Sequence, residues 1–358
     1  MTLEARVSKV LPESDDSAGF TLDVEFSAGA GITVLFGPSG AGKTLTLDLI
    51  AGFTRPDAGR ILLNDVLLFD AAAKVHRRPR DRDCGTVSQR DSLFPHMTIR
   101  QNLAFAAERR PRLERHRRVQ EMIDRFHLAD VAGRLPGAVS GGQRQRCSIA
   151  RALITAPQAL LLDEPATGLD APLRAELFQI LIDLRKELAI PLLYVTHDLD
   201  EAVVLGDRML IYDAGRIVQA GEPQNILSRP ATAKVAEMLG HTNIFEAEIL
   251  ALDPGRDTSR LRVSIGSAPP GELRGPYLPG HLIGDRVRIV TRADELRVHG
   301  VSGENRLPAV LETTVERARM TELRFAGPLV VLASRRERDF REWFIEFPPE
   351  GLCVLGAA

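Results

Sequence analysis

The eight residues Gly37-Pro38-Ser39-Gly40-Ala41-Gly42-Lys43-Thr44 place glycine, lysine and a hydroxyl residue at the spacing G-x-x-x-x-G-K-[ST]. Glycines without a Cβ let a loop curl until successive backbone N–H groups point at phosphate oxygens. A helix opening at Gly42 adds the positive end of its dipole. In such a loop Lys43 neutralises the β- and γ-phosphates, and the Thr44 hydroxyl is placed to ligate Mg2+. Far along the chain, Leu160-Leu161-Leu162-Asp163-Glu164 is an apolar run ending in two acids. Such a pair is either a set of solvated acids capping a strand or a working pair, with Asp163 on Mg2+ and Glu164 polarising an attacking water. The phosphate loop upstream favours the second reading.

Three further signals are weaker alone. Val139-Ser140-Gly141-Gly142-Gln143 precedes a helical pattern, with Ser140 as N-cap and glycines that expose backbone N–H groups. It is a helix start, or, beside a first Gly-rich helix N-terminus, a second phosphate-binding surface. His197 closes an apolar strand and Gln89 sits in a polar loop, and residue type leaves both open between structure and chemistry.

The elements that must hold these residues alternate. Ile32 to Phe36 reads as the strand before the phosphate loop, with Ala5 to Val10 and Phe20 to Phe26 as strands ahead of it. Arg60 to Leu63 and Val66 to Phe69 form a strand pair after the turn residues Arg55 to Gly59. Gln101 to Leu128 is helical and polar, the start of a helical insertion spanning about 95–155. Helix from Gly142, strand Ala159 to Leu162, helix Pro172 to Leu188, strand Leu192 to Thr196, helix Asp200 to Leu205 and strand Arg208 to Tyr212 then follow. This is the βαβ spacing of a mostly parallel sheet in an α/β domain. After a last helix, Ala231 to Leu239, short strand patterns dominate: Phe245 to Ala251, Arg260 to Ser264, Arg286 to Thr291, Pro308 to Val315, Leu323 to Phe325 and Leu329 to Ala333. The expected plan is a phosphate-loop nucleotide-binding domain over 1–240 and a small all-β, OB-like domain over 241–358, possible as two lobes.

Bulk properties agree with two soluble domains: 358 residues, 44% hydrophobic and 26% charged. A net charge of -2 gives no electrostatic footprint of nucleic acid. No signal peptide is visible after Met1, and nowhere do about 18 uncharged apolar residues run together, so any membrane role comes through a partner. Cys84, Cys147 and Cys353 lack metal-ligand spacing and fit buried positions in a reducing compartment. Two segments are strongly basic, Lys74 to Arg82 and Arg109 to Arg118; the second reads as a solvated helix or an interaction surface.

Taken in order, the phosphate loop, Gln89, Ser140 to Gln143, Asp163-Glu164, Ala166-Thr167-Gly168-Leu169-Asp170 and His197 resemble the ATP-binding subunit of an ABC transporter over residues 1 to about 240. The resemblance implies an ATPase using ATP and Mg2+ and working as a head-to-tail pair. Each ATP would lie between the phosphate loop of one copy and Ser140 to Gln143 of the other. It makes Glu164 the general base, His197 the γ-phosphate contact, and Gln89 the Mg2+ and water contact and the sensor towards the membrane partner. Asp170 becomes part of the loop that crosses the dimer. Val139 stands where the family usually has Leu, and Ser88 where Phe or Pro is more usual. The aromatic that commonly stacks on adenine has no clear counterpart in Pro12 to Ser17, and Phe20 is a weak substitute.

The β domain resembles the C-terminal regulatory domain of binding-protein-dependent importers. Within these the resemblance is to molybdate importers, through Gly31 to Gly37, Leu68-Phe69-Asp70, Leu93-Phe94-Pro95-His96, Ala150 to Leu153, Asn243 to Glu246 and Val287 to Asp294. This implies permease subunits, indirectly a solute-binding protein, and a peripheral place on the cytoplasmic face of the membrane. Sulfate, ferric iron, polyamine and sugar importers are the alternatives. A soluble ABC ATPase acting on nucleic acid or ribosomes is disfavoured, because neither a tandem second domain nor a long coiled-coil insertion is present. At Ser302-Gly303-Glu304-Asn305, oxyanion-binding versions carry a basic residue before the Asn; here it is Glu304, and a carboxylate repels an oxyanion. The domain is either a regulatory site or a dimer-stabilising module.

Overall fold

In the computed structural model, the described residues are 1–13, 19–88, 93–108, 111–240, 243–265, 270–316, 320–327, 329–334 and 340–355. Contacts divide the chain into two compact units, Met1–Pro223 and Gln224–Ala358.

The first unit opens with β1 (Leu3–Leu11), β2 (Phe20–Ala28) and β3 (Gly31–Phe36), then α1 (Lys43–Ala51), β4 (Ala58–Leu63), β5 (Val66–Asp70) and β6 (Val75–His76). β7 (Cys84–Val87) leads to the helices α2 (Ile99–Ala106), α3 (Arg112–Arg125) and α4 (Gly141–Leu153). The chain alternates thereafter: β8 (Ala159–Asp163), α5 (Ala171–Glu187), β9 (Pro191–Thr196), α6 (Leu199–Leu205), β10 (Arg208–Asp213) and β11 (Arg216–Gly221). The central sheet has the order β11-β10-β3-β9-β8-β7, parallel from β10 to β7, with β11 antiparallel at one edge. Its inner strands are buried on both faces, so β8 and β9 read as unbroken apolar runs rather than alternating ones.

A second, antiparallel sheet runs β2-β1-β4-β5-β6. β1 and β2 alternate buried and exposed positions because one face alone meets the core. That core joins Leu3, Val7, Leu22 and Ile61 to Leu47 and Ile50 of α1 and to Leu161 and Val195 of the parallel sheet. The phosphate-loop helix is thereby clamped between two sheets.

The helical stretch expected over Gln101 to Leu128 consists of α2 and α3. Thr98 caps α2 in a reciprocal capping box with Gln101. Asn102, fully buried, ties the loop before α2 to its first turn by accepting from Phe94 N and donating to Phe94 O, Met97 O and Thr98 O. α3 turns Val119, Met122 and Ile123 inward and keeps its arginines outside.

The second unit begins within α7 (Pro223–Ser228), and holds α8 (Ala233–Met238) and a run of short strands: β12 (Asn243–Asp253), β13 (Thr258–Val263), β14 (Gly271–Pro276), β15 (Arg286–Thr291), β16 (Arg297–His299), β17 (Arg306–Ala309), β18 (Leu311–Glu316), β19 (Thr321–Phe325), β20 (Leu329–Ala333), β21 (Trp343–Glu346) and β22 (Cys353–Val354). They form an antiparallel sheet β14-β13-β12-β15-β22 and two smaller sheets, β16-β21-β17 and β18-β19-β20. One apolar core, including Ile249, Leu261, Phe325, Ile345 and Phe347, lies beneath all three. The sequence boundary near Gly240 falls inside this unit because α8 belongs to it: Ala236 packs with Val290, Cys353 and Leu355. Pro308 to Val315, expected as one strand, is two. Pro308 sits in β17 paired with Phe344, and the chain leaves that sheet at Val310 to begin β18 in another.

Candidate functional site

Three adjacent strands of the parallel sheet end where chemistry can occur: β3 in the phosphate loop, β8 in Asp163, β9 one residue before His197. Gly37 has φ +153, and a Cβ there would stand 2.4 Å from Tyr212 O, so only glycine lets the chain turn out of β3. At the other end of the loop, Gly42 takes the N-cap position of α1 with φ +103 and offers no side-chain cap. The first N–H groups of α1 are therefore left to a ligand.

Lys43 is 5% exposed, and its Nζ donates to Gly37 O at 2.7 Å and Pro38 O at 2.8 Å. Burial pulls its pKa down, while the nearby carboxylates of Glu164 and Asp163 pull it back up. Thr44 Oγ1 donates to Asp163 Oδ1 at 3.1 Å. Asp163 is buried, and burial raises its pKa, with Glu164 and Asp48 adding to the rise and Thr44 opposing it. A desolvated carboxylate beside a hydroxyl, backed by further acids, is the hard oxygen donor set that suits Mg2+. Among the described residues no group of three or more His, Cys, Asp or Glu could hold a metal by itself. A magnesium ion that completes its shell with phosphate oxygens and water needs no such group. Asp48, one turn beyond Thr44 on α1, is an acid at this site that the motif pattern does not contain; its i, i+4 spacing was the available signal.

Glu164 follows β8 with φ +45, a left-handed conformation that turns its side chain out of the strand path. Its N–H donates to Val195 O at 3.1 Å. One carboxylate oxygen stands 3.2 Å from His197 Nδ1, and the other accepts from Thr167 Oγ1 at 3.1 Å. The structure thus brings Lys43, Thr44, Asp163, Glu164 and His197 to one place. β7, which leads to Gln89, pairs with β8 in the register Val87↔Leu162. Gln89 itself lies outside the described residues, as do residues 14–17 of the stretch searched for an adenine-stacking aromatic. Phe20 packs beside the loop, its Cζ 3.1 Å from the place a Gly42 Cβ would take.

Among the described residues no hydrogen bond joins Ser140 to Gln143 to the loop Gly37 to Thr44. Ser140 caps α4 in a reciprocal box: Gln143 N donates to Ser140 Oγ at 3.2 Å, and Ser140 N to Gln143 Oε1 at 2.9 Å. Arg144 donates to Val139 O at 2.8 Å and holds the approach to the cap. Asp170 caps α5 by accepting from Leu173 N at 3.0 Å. Leu173 in turn lies against Gly142, where a Cβ would approach it to 3.0 Å. Asp170 and the Ser140 segment are therefore neighbours through Leu173.

In the C-terminal unit Asn305 is committed to backbone. Its Oδ1 accepts from Arg274 N at 2.6 Å, and its Nδ2 donates to Arg274 O at 2.7 Å and Phe347 O at 2.8 Å. Glu304 is exposed and stands 3.7 Å from Arg274. The three cysteines are free, and burial pushes the thiols of Cys84 and Cys147 up to about 12 and that of Cys353 to about 11, so all are inert.

Comparison with known proteins points the same way. The ABC transporter family model matches residues 21–167. A spermidine/putrescine import ATP-binding protein of Nitrosospira multiformis is 39% identical over 290 residues, covering 80% of this chain and 76% of the relative. A molybdenum import ATP-binding protein of Rhodospirillum rubrum is 36% identical over 295 residues, covering 81% of this chain and 78% of the relative. Among solved structures, a dimeric post-hydrolysis state of an ATP-binding cassette bound to ADP and Pi superposes with a TM-score of 0.54 at 25% identity, over 62% of this chain and 99% of that one. Two import subunits aligned over more than three quarters of their length, and a cassette fold carrying the phosphate loop where the sequence placed it, put this chain in the ABC transporter family, among the ATP-hydrolysing subunits of its importers.

Proposed function

We propose that this chain powers a binding-protein-dependent importer of molybdate or a related oxyanion, as a head-to-tail pair on the cytoplasmic face of the membrane. The observation that carries the catalytic reading is the carboxylate of Glu164, held 3.2 Å from His197 beside the Thr44–Asp163 pair. The loop N–H groups receive the phosphates of ATP, and Lys43 is already gathered among them to balance their charge. Thr44 and Asp163 would hold Mg2+, which would supply positive charge to balance the phosphates. Glu164 takes the proton of the attacking water, with Thr167 and His197 fixing its two oxygens, and His197 reaches the γ-phosphate. Gln89 is assigned the contact with water and metal. Ser140 to Gln143 and Asp170 belong to the site of the second copy, since they stand away from the phosphate loop of their own.

A groove beside β7 suits contact with the permease. Its cavity of about 290 Å3 is lined by Thr86, Phe94, Phe105 and Arg151 among others, with Phe105 half exposed and Arg151 stacked over Phe94. Among the described residues no helix is long and apolar enough to cross a membrane, so the crossing is assigned to the partner. Residues 1–240 are read as the ATP-binding domain and 241–358 as a regulatory or dimerisation domain.

The oxyanion reading is supported by the molybdate-importer resemblance and by the Rhodospirillum rubrum relative. A polyamine is the second reading, favoured by the Nitrosospira multiformis relative and by the exposed carboxylate of Glu304. Reconstitution with the permease, followed by ATP turnover with a binding protein loaded with molybdate or with spermidine, separates them. Stimulation by the spermidine-loaded protein alone overturns the oxyanion reading.

A further inference from the structure

His197 is 56% exposed, and the side-chain contact it makes among the described residues is with Glu164. With more than half of the side chain open to solvent, the course of the backbone carries much of the ring's placement. The residues on either side are held by one buried acid. Glu201, 6% exposed in the first turn of α6, accepts from Tyr194 Oη at 2.9 Å and from Thr196 Oγ1 at 2.8 Å, both on the same carboxylate oxygen. Tyr194 and Thr196 are alternate residues of β9, so both point to one face of the sheet. Thr196 Oγ1 also accepts from Asp198 N at 3.0 Å. Asp198 Oδ1 accepts from Asp200 N at 2.9 Å and Glu201 N at 3.2 Å and so caps α6. The strand before His197 and the helix after it thus close on a single carboxylate.

Among the described residues no cation pairs with Glu201. A buried carboxylate served by neutral donors alone is costly, and an apolar side chain would fill the same space at less expense. What the carboxylate supplies instead is direction: two hydroxyls converge on it and fix the turn. We propose that Glu201 is a positioning residue for His197, holding the imidazole at hydrogen-bonding distance from Glu164. This rests on the role proposed for His197. Neither oxygen of Glu201 touches the reacting atoms.

The test is steady-state ATP turnover and nucleotide binding of the full chain carrying E201A, E201Q, T196V, H197A and the double variant H197A/E201A. In the expected result E201A lowers kcat about tenfold and leaves the ATP dissociation constant within about twofold, because the phosphate loop is untouched. E201Q recovers most of kcat, since one amide oxygen can still accept both hydroxyls. T196V, which removes a single hydroxyl at nearly constant shape, lowers kcat in the same sense and serves if E201A does not fold. The double variant turns over no more slowly than H197A. Additive losses in the double variant, or equal losses in binding and turnover, overturn the positioning role while leaving His197 catalytic. An H197A variant with full turnover overturns the proposed role of His197 itself.

Discussion

His197 Nδ1 and Glu164 Oε1 stand 3.2 Å apart across 33 residues of sequence, because β8 and β9 are neighbours and each releases its functional residue just past its last buried position. The carboxylate is oriented at both oxygens before any substrate arrives, which is the preorganisation that proton transfer requires.

Replacing Glu164 with Gln should leave ATP binding intact and lower kcat by about 100-fold or more, the range expected for loss of a general base. The variant should accumulate as an ATP-dependent dimer in size-exclusion chromatography. Turnover at the wild-type rate would remove Glu164 from the mechanism.

Lys43→Ala acts on binding. Loss of a charge-assisted contact of about 1.5–3 kcal/mol raises the dissociation constant for ATP roughly 10- to 100-fold. Fluorescent-nucleotide titration reads it directly, and an unchanged constant would show that the backbone N–H groups suffice.

The separation of Ser140 from the phosphate loop makes a complementation test possible. K43A and S140R should each be inactive alone. In a mixed dimer one site carries both lesions and the other carries neither, so random mixing should restore about a quarter of wild-type turnover. No recovery on mixing would argue that each chain completes its own site.

Arg82 is 1% exposed and donates to Leu49 O, Ile50 O and Arg77 O, closing the C-terminal end of the phosphate-loop helix. Removing it strands buried carbonyls, and Arg82→Met should cost about 2–4 kcal/mol of unfolding free energy. Lysine retains the charge and lacks the fork, so R82K should recover only part of this. A denaturant midpoint equal to wild type for R82M would refute the assignment.

His76 Nδ1 faces Arg82 Nη2 at 3.1 Å, and burial, then the charges of Arg82 and Arg55, hold its pKa below the ordinary 6.5. The unfolded chain therefore binds this proton at a higher pH than the folded one. The contribution to stability is present above 6.5 and is lost as pH falls from there through the depressed native value. Urea midpoints at pH 7.5 and about 5.5 should move less in H76Q than in wild type. An identical shift in both proteins would clear His76 of the effect.

The phosphate loop, the acid pair and the alternation of strand and helix were legible because each is a local pattern with a local cause. Strands β8 and β9 announced themselves as unbroken apolar runs. β7 did not: Cys84-Gly85-Thr86-Val87 is four residues with one glycine, and only its neighbour β8 makes it a strand. Arg82 read only as the end of a basic segment, since its acceptors include carbonyls of α1 that no sequence pattern displays. Glu201 lay unremarked in the helix expected over Asp200 to Leu205, because its donors Tyr194 and Thr196 sit on a strand. The division at Val310 was hidden because strand membership in a small β unit depends on partners far along the chain.

The register of β8 on β9, Asp163 opposite Val195, has a consequence for how the chain can fail. Successive residues of a strand face opposite ways, so a slip of one position would carry one acid into the other's place and leave its own to a neighbour. A slip one way would draw Glu164 into the buried place of Asp163; a slip the other way would push Asp163 out towards His197 and set Leu162 against Thr44. Such a molecule would be compact and inert. Pairing between two apolar strands thus proofreads the catalytic centre: a correctly folded sheet is already a correctly sorted pair of acids.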